Sequence, residues 1–192
     1  MLIHHPKPYL SYSQFSLFKD NPKEYYKRYV DNIRFSNKWT EFGKWVHSEL
    51  EKPKSDDNVI ELIRPNIKVG KNEVEVKAKL DDIPLLGYVD IMNNREKYIV
   101  DIKTSGKEWT QKKADEEEQL TFYSILIREA YGWIPQELII HWIETKGDPL
   151  YLTGNNKEII TTREQWQLDM LEEEIKEVWE EIGIYCGKRY NF

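Results

Sequence analysis

Residues 86–103 read Leu86-Gly87-Tyr88-Val89-Asp90-Ile91-Met92-Asn93-Asn94-Arg95-Glu96-Lys97-Tyr98-Ile99-Val100-Asp101-Ile102-Lys103. Two runs rich in β-branched and aromatic residues, Leu85 to Met92 and Tyr98 to Lys103, flank the polar turn Asn93-Asn94-Arg95-Glu96, which predicts a β-hairpin. The strand period of two puts Asp101 and Lys103 on one face. Asp90 then falls opposite Ile99 or Asp101 in the registers that bring both carboxylates to the same face. Such neighbours lie roughly 4.5 to 8 Å apart, within reach of one shared cation. Two like charges at that spacing repel unless a metal is bound, and oxygen ligands favour Mg²⁺ or Mn²⁺. A plainer reading leaves Asp90 and Asp101 as strand ends at the solvent edge.

Working outward, Val74 to Leu80 alternates and predicts a preceding strand. A helix from about Asp115 to Tyr131, an apolar strand Leu138 to Ile143 and an edge strand near Leu150 to Thr153 follow. Thr162 with Gln165 reads as a capping box opening a long final helix, whose apolar stripe runs Trp166, Leu168, Leu171, Ile175, Val178, Trp179, Ile182. Towards the N-terminus, Ser13 to Phe18 makes a short turn. Asn21-Pro22 caps a helix from about Lys23 to Val30. Phe42, Val46 and Leu50 give helical spacing over Lys38 to Glu51, and Pro53 to Asn58 reads as a linker. The order ααβββαββα describes an α/β fold, a central mixed sheet flanked by helices, and no internal repeat is visible.

The 192 residues suit one domain spanning 1–192. Seven Trp, twelve Tyr and six Phe supply a core, and a mean hydropathy of -0.73 with 32% charged residues excludes a disordered chain. No apolar run is long enough to cross a membrane, and the first ten residues carry Pro and His where a signal peptide needs a hydrophobic stretch, which points to the cytoplasm. Cys186 is the single cysteine, so neither an intramolecular disulfide nor a cysteine-built iron-sulfur or zinc site can form. The net charge of -6 opposes nucleic-acid binding. Its distribution does not, because residues 1–54 carry an excess of basic groups. Lys23, Lys27, Arg28, Arg34, Lys38 and Lys44 mingle there with Tyr25, Tyr26, Tyr29 and Trp39, a mixture that holds phosphates and stacks bases, and equally one that coats a solvated helix.

An acidic residue two before a lysine also occurs at Glu75/Lys77, Glu144/Lys146 and Glu174/Lys176, so the tripeptide Asp101-Ile102-Lys103 is uninformative without its strand context. Glu75/Lys77 is the serious rival, since it too lies on a strand. Gly43 and His47 stand one turn apart on a helix, where the missing side chain permits close approach to the sheet. His47 is thus either a third ligand or a satisfied, partly buried histidine. Gln119 and Tyr123 share a helix face and, if buried, need polar partners.

Taken in order, Gly43-x-x-x-His47, Gly87-x-x-Asp90, Asp101-x-Lys103 and Gln119-x-x-x-Tyr123 resemble the motif series of the RecB-like exonuclease branch of the PD-(D/E)XK nucleases. The opening Ser11 to Tyr26, a serine-rich turn leading through Asn-Pro into an aromatic helix, is similar to the family's start. The resemblance implies a restriction-endonuclease-like core and a divalent-metal-dependent DNA nuclease, with end-dependent digestion favoured over structure- or sequence-specific endonuclease action or a non-catalytic DNA-binding module. By the same resemblance, His47, Asp90, Asp101 and the Ile102 carbonyl bind Mg²⁺ or Mn²⁺. Lys103 activates the attacking water, its pKa depressed beside the cation, or stabilises phosphorane charge; Gln119 and Tyr123 position substrate or ligands; Glu75 or Glu73 assists. Relatives such as AddB and the CRISPR adaptation nucleases place an iron-sulfur cysteine before that proline. Asn21 stands there in this chain, so the resemblance excludes a cluster and leaves the tail from Ile184 to Phe192 to hold the ends together by packing. No helicase motif is present, so a recombination or replication partner protein in a prokaryotic or phage-infected cell is the implied setting.

Overall fold

The structure is a computed structural model that describes residues 4–33 and 36–189; Arg34 of the basic mixture, residues 1–3 and residues 190–192 of the tail lie outside the described residues. Helices α1 (Tyr12–Asp20), α2 (Pro22–Tyr29), α3 (Lys38–Glu51) and α4 (Asn58–Ile63) precede strands β1 (Lys71–Leu80), β2 (Ile83–Asn93) and β3 (Tyr98–Ser105). Then come α5 (Gln111–Asp115), α6 (Glu118–Tyr131), β4 (Glu137–Lys146), β5 (Tyr151–Thr161) and α7 (Gln165–Arg189). The strands form one mixed sheet in the order β1-β2-β3-β4-β5, parallel only between β3 and β4.

Four expectations need correcting. The supposed linker leads into α4, because Asp57 caps the amides of Val59 and Ile60 and buries Ile60 and Ile63. The helix expected from Asp115 is two helices, the first capped by Thr110 and ended at Glu116. Thr162 is not a cap: α7 begins at Gln165, the Gln167 side chain accepts the Glu164 amide, and Trp166 is exposed, leaving Leu168, Leu171, Ile175, Val178 and Ile182 as the buried stripe. The edge strand runs to Thr161, far beyond the expected Thr153.

The sheet separates two cores. On one face Phe15, Leu120, Ile125, Leu126, Leu171 and Ile175 pack on Val74, Val76, Val89, Ile99 and Ile140. On the other, Val46, Leu50, Ile60 and Ile63 cover Ile91, Val100, Ile102 and Ile139. Lys19 bridges Glu118 and Glu174 at 2.7 and 2.5 Å, tying α1 to α6 and α7.

The strands around the hairpin do not pair evenly. β1 and β2 run together from Leu80↔Ile83 to Lys71↔Met92. β2 and β3 pair only at Ile91↔Val100, Met92↔Ile99 and Asn93↔Tyr98. Lower down, Leu10 takes the vacant edge of β2, donating to Pro84 O and accepting from Leu86 N at 2.8 and 3.0 Å. Between Leu10 and Ile91 the edge of β2 therefore has no neighbouring strand.

Candidate active site

That interval in the sheet is lined by polar side chains from both layers. The Tyr88 carbonyl accepts the Tyr123 hydroxyl at 2.8 Å, and the Asp90 carboxylate accepts the Ile102 amide at 2.7 Å, so side chains satisfy backbone groups that a complete ladder would have paired. The side-chain alternation of β2 breaks at Asp90, since Val89 faces the α6 core and Ile91 the α3 core. Opposite it, between the pairs Asn72↔Ile91 and Val74↔Val89, Glu73 adopts φ 46°, a left-handed conformation uncommon outside glycine.

From one layer, α3 crosses β3 with Gly43 over Thr104 and His47 over Ile102. A Cβ on Gly43 would come within 3.2 Å of Thr104 Oγ1, tighter than most real contacts, so glycine permits this approach. One turn on, His47 Nε2 donates to the Ile102 carbonyl at 3.2 Å. Its Nδ1 faces Asp90 Oδ1 at 3.4 Å and Glu73 Oε1 at 3.9 Å. Ligand atoms of His47, Glu73 and Asp90 all lie within 4.8 Å of one another.

From the other layer, Lys103 Nζ lies 2.8 Å from Asp101 Oδ2 and donates to Gln119 Oε1 at 2.7 Å. Gln119 Nε2 donates to the Tyr123 hydroxyl at 2.8 Å, which passes the chain on to Tyr88. Gly87 makes room for this face, because a Cβ there would meet Leu126 Cδ2 at 2.6 Å and Tyr123 Cε1 at 3.1 Å. The buried Asp101 Oδ2 has the Lys103 ammonium as its partner.

Burial pushes the Asp101 carboxyl up to about 6, against the opposing charge of Lys103. Burial also pulls His47 down, but Asp90, then Asp101 and the Ile102 carbonyl, outweigh it and lift the ring to about 9. For Lys103, burial again favours the neutral form, yet the Asp101 carboxylate, with Glu117 and Asp90, raises the ammonium above its usual value. Lys103 is thus a cation balancing buried carboxylates. Glu73 rises through burial and then through Asp90 and Glu51. Carboxylates clustered with an imidazole and a backbone carbonyl, balanced here by protons and an ammonium, form a donor set that fits a hard divalent cation.

The structure brings His47, Asp90, the Ile102 carbonyl, Asp101, Lys103, Gln119 and Tyr123 into this one interval. Glu75 is engaged elsewhere, accepting the Tyr88 hydroxyl at 2.8 Å and pairing with Lys77 at 2.5 Å. Glu73 is the glutamate beside His47 and Asp90. Alternation gives Glu73 and Glu75 the same face, and only the register against β2 separates them. The basic and aromatic mixture is divided: Tyr25 is buried with its hydroxyl on Gln14, Lys27 pairs with Glu24 and Lys38 with Asp148. Trp39 and Lys44 line a groove that reaches His47 and Lys103. Tyr12, Tyr29 and Tyr88 line a second that reaches Gln119 and Tyr123.

A five-stranded mixed sheet with helices on both faces is the α/β arrangement of a restriction-endonuclease-like core. Among solved structures, the chain is similar to a candidate exonuclease from Eubacterium rectale, with TM-score 0.58 and 14% identity over 89% of this chain and 80% of that one. It is also similar to a phage-related exonuclease from Haemophilus somnus 129PT, with TM-score 0.53 and 17% identity over 90% and 82%. At these identities the likeness is one of fold. No protein-family profile matches the chain, and neither does any curated protein. Among the described residues no helix is long and apolar enough to cross a membrane.

Proposed function

We propose that the chain is a divalent-metal-dependent deoxyribonuclease of the RecB-like PD-(D/E)XK type, without an iron-sulfur cluster, that digests DNA from its ends as one domain spanning residues 1–192. The observation that carries this reading is the convergence of His47, Glu73 and Asp90 from one layer with the Asp101–Lys103–Gln119 chain from the other. His47, Asp90, Asp101 and the Ile102 carbonyl, with Glu73, would hold Mg²⁺ or Mn²⁺. A bound cation there supplies a water of lowered pKa and neutralises charge on the phosphate.

The chain's own groups do the rest. Lys103, cationic and held by Gln119, stabilises negative charge developing on the phosphate oxygens. Tyr123 fixes Gln119 and, through Tyr88, the edge of β2. The two grooves meet at the Lys103–Gln119 hydrogen bond, giving a strand a path across the site with Trp39 on one side and Tyr88 on the other for stacking. The exonuclease names of the two similar structures agree with this reading. A recombination or replication partner supplying DNA ends in a phage or prokaryotic cell completes the proposal.

The test is digestion of linear and circular DNA, each single- and double-stranded, with Mg²⁺, Mn²⁺ or EDTA. Metal-dependent loss of linear DNA with circles intact is the expected result. Cleavage of closed circles would make the enzyme an endonuclease, and binding without cleavage would reduce it to a DNA-binding module.

A further inference from the structure

A smaller cavity opens on the α3 side of the candidate ligands, and nothing in the mechanism above uses it. It measures about 190 Å³ and shares His47, Glu73, Asp90 and Ile102 with the site. Its floor is apolar, made by Leu50, Ile67 and Ile91, and its outer lip is Val69-Gly70 with Asn72. Leu50 and Ile91 belong to the α3-side core and Ile67 packs against it, so the floor is held in place.

Charge decides what can enter. The three cations lining the cavity are already engaged: Arg64 donates to Leu50 O at 2.6 Å and Glu49 O at 3.0 Å and pairs with Glu61, Lys68 pairs with Glu137, and His47 faces Asp90 and Glu73. The other charged groups of the lining, Glu51, Glu73 and Asp90, are acidic. A phosphate finds no uncommitted cation in that lining, whereas a flat, uncharged ring gains from leaving water for an apolar floor. The volume suits one ring system and is far too small for a base pair. The exposed Asn72 side chain, which forms no hydrogen bond among the described residues, stands at the lip as a donor and acceptor for a ring edge.

We infer that this cavity is a nucleobase subsite, taking the base of one unpaired terminal nucleotide while its phosphate lies at the candidate ligands. The inference rests on the nuclease reading and deepens it, because a pocket for a single unpaired base gives an active site a means of sensing a DNA end.

Binding tests it independently of turnover. Fluorescence anisotropy would compare labelled single-stranded oligonucleotides that differ only in carrying a normal or an abasic residue at one terminus, tried at each end, with Ca²⁺ or EDTA present. The expected result is about tenfold weaker binding of the abasic oligonucleotide at one of the two ends. Ile67→Trp, which fills the cavity, should remove that difference by bringing the normal oligonucleotide down to the abasic affinity. Equal affinity of normal and abasic ends for the unaltered protein would overturn the subsite, and that comparison needs no variant to fold. A preference retained in a folded Ile67→Trp protein would overturn it as well. Failure of the nuclease reading shows separately, as absence of cleavage in Mg²⁺ or Mn²⁺ whatever the affinities.

Discussion

Asp90 joins two strands through its side chain: one carboxylate oxygen accepts the Ile102 amide at 2.7 Å while the other faces His47 Nδ1 at 3.4 Å. A candidate ligand is therefore also a structural fastener, and the two roles separate by substitution. Asp90→Asn keeps an oxygen for the amide and loses the charge, so Mn²⁺ affinity should fall by about 10- to 100-fold with little change in melting temperature. Asp90→Ala leaves the amide without a partner and should cost a further 1–3 kcal/mol or so of stability. Calorimetric metal titration and thermal melts in EDTA check both.

Asp101→Asn should abolish cleavage yet leave the EDTA-treated protein folded. The buried Asp101 carboxyl is raised to about 6 from 3.8, so the folded chain binds that proton more tightly than the unfolded one. Its ionisation lowers metal-free stability as pH rises through that window, and an amide removes the penalty. A collapsed thermal transition would make Asp101 a structural residue.

His47 carries the opposite kind of group with the same sign. Its pKa rises from 6.5 to about 9, so its contribution to metal-free stability is complete below about pH 6.5 and is lost as pH climbs through 9. In EDTA the melting temperature of the unaltered protein should fall across that range relative to His47→Gln. Only the neutral imidazole ligates, so at subsaturating Mn²⁺ activity should rise over the same interval. His47→Ala should weaken Mn²⁺ more than Mg²⁺, since imidazole suits the softer ion. Equal affinities for both metals in the two proteins would remove His47 from the ligand set.

Lys103→Ala should leave metal affinity within a few-fold of the original and slow the chemical step by about 10²-fold or more, the scale expected when a group stabilising transition-state charge is lost. Single-turnover kinetics beside calorimetry distinguish the two effects. Turnover like that of the unaltered protein would place the chemistry elsewhere.

Glu73 and Glu75 give a paired comparison. Glu73→Gln removes a carboxylate from the His47 and Asp90 cluster and should weaken Mn²⁺ by about tenfold. Glu75→Gln loosens only its contacts with Tyr88 and Lys77 and should leave metal binding unchanged. The reverse ranking, read by the same titration, would restore Glu75 to the site.

The hairpin was legible because two β-branched and aromatic runs, Leu85 to Met92 and Tyr98 to Lys103, flank a polar turn, and α3 matches its expected bounds because Phe42, Val46 and Leu50 keep strict helical spacing. Helix α4 was hidden by Pro53 to Asp57, a segment whose composition reads as linker although Asp57 makes a cap. Glu73 could not be told from Glu75 for a different reason. Its position depends on the register of β1 against β2 and on a positive φ that no residue-type preference announces. The ion pair of Lys103 with Asp101 was not legible, because the separation of the two groups is set by folding, and that 2.8 Å contact outweighs the burial.

The short ladder between β2 and β3 also divides the molecule mechanically. Strands β1 and β2 are laced along nearly their full length, as are β3, β4 and β5, whereas the two blocks share three residue pairs, Ile91↔Val100, Met92↔Ile99 and Asn93↔Tyr98. Amide exchange by partial opening begins where few hydrogen bonds must break together. The Ile102 amide, protected by one carboxylate, is therefore a reporter at the hinge line between the blocks. Charge on Asp90 strengthens that protection, and loss of the charge loosens the seam, so the slow-exchange pattern of this protein should split into two cooperative units along it.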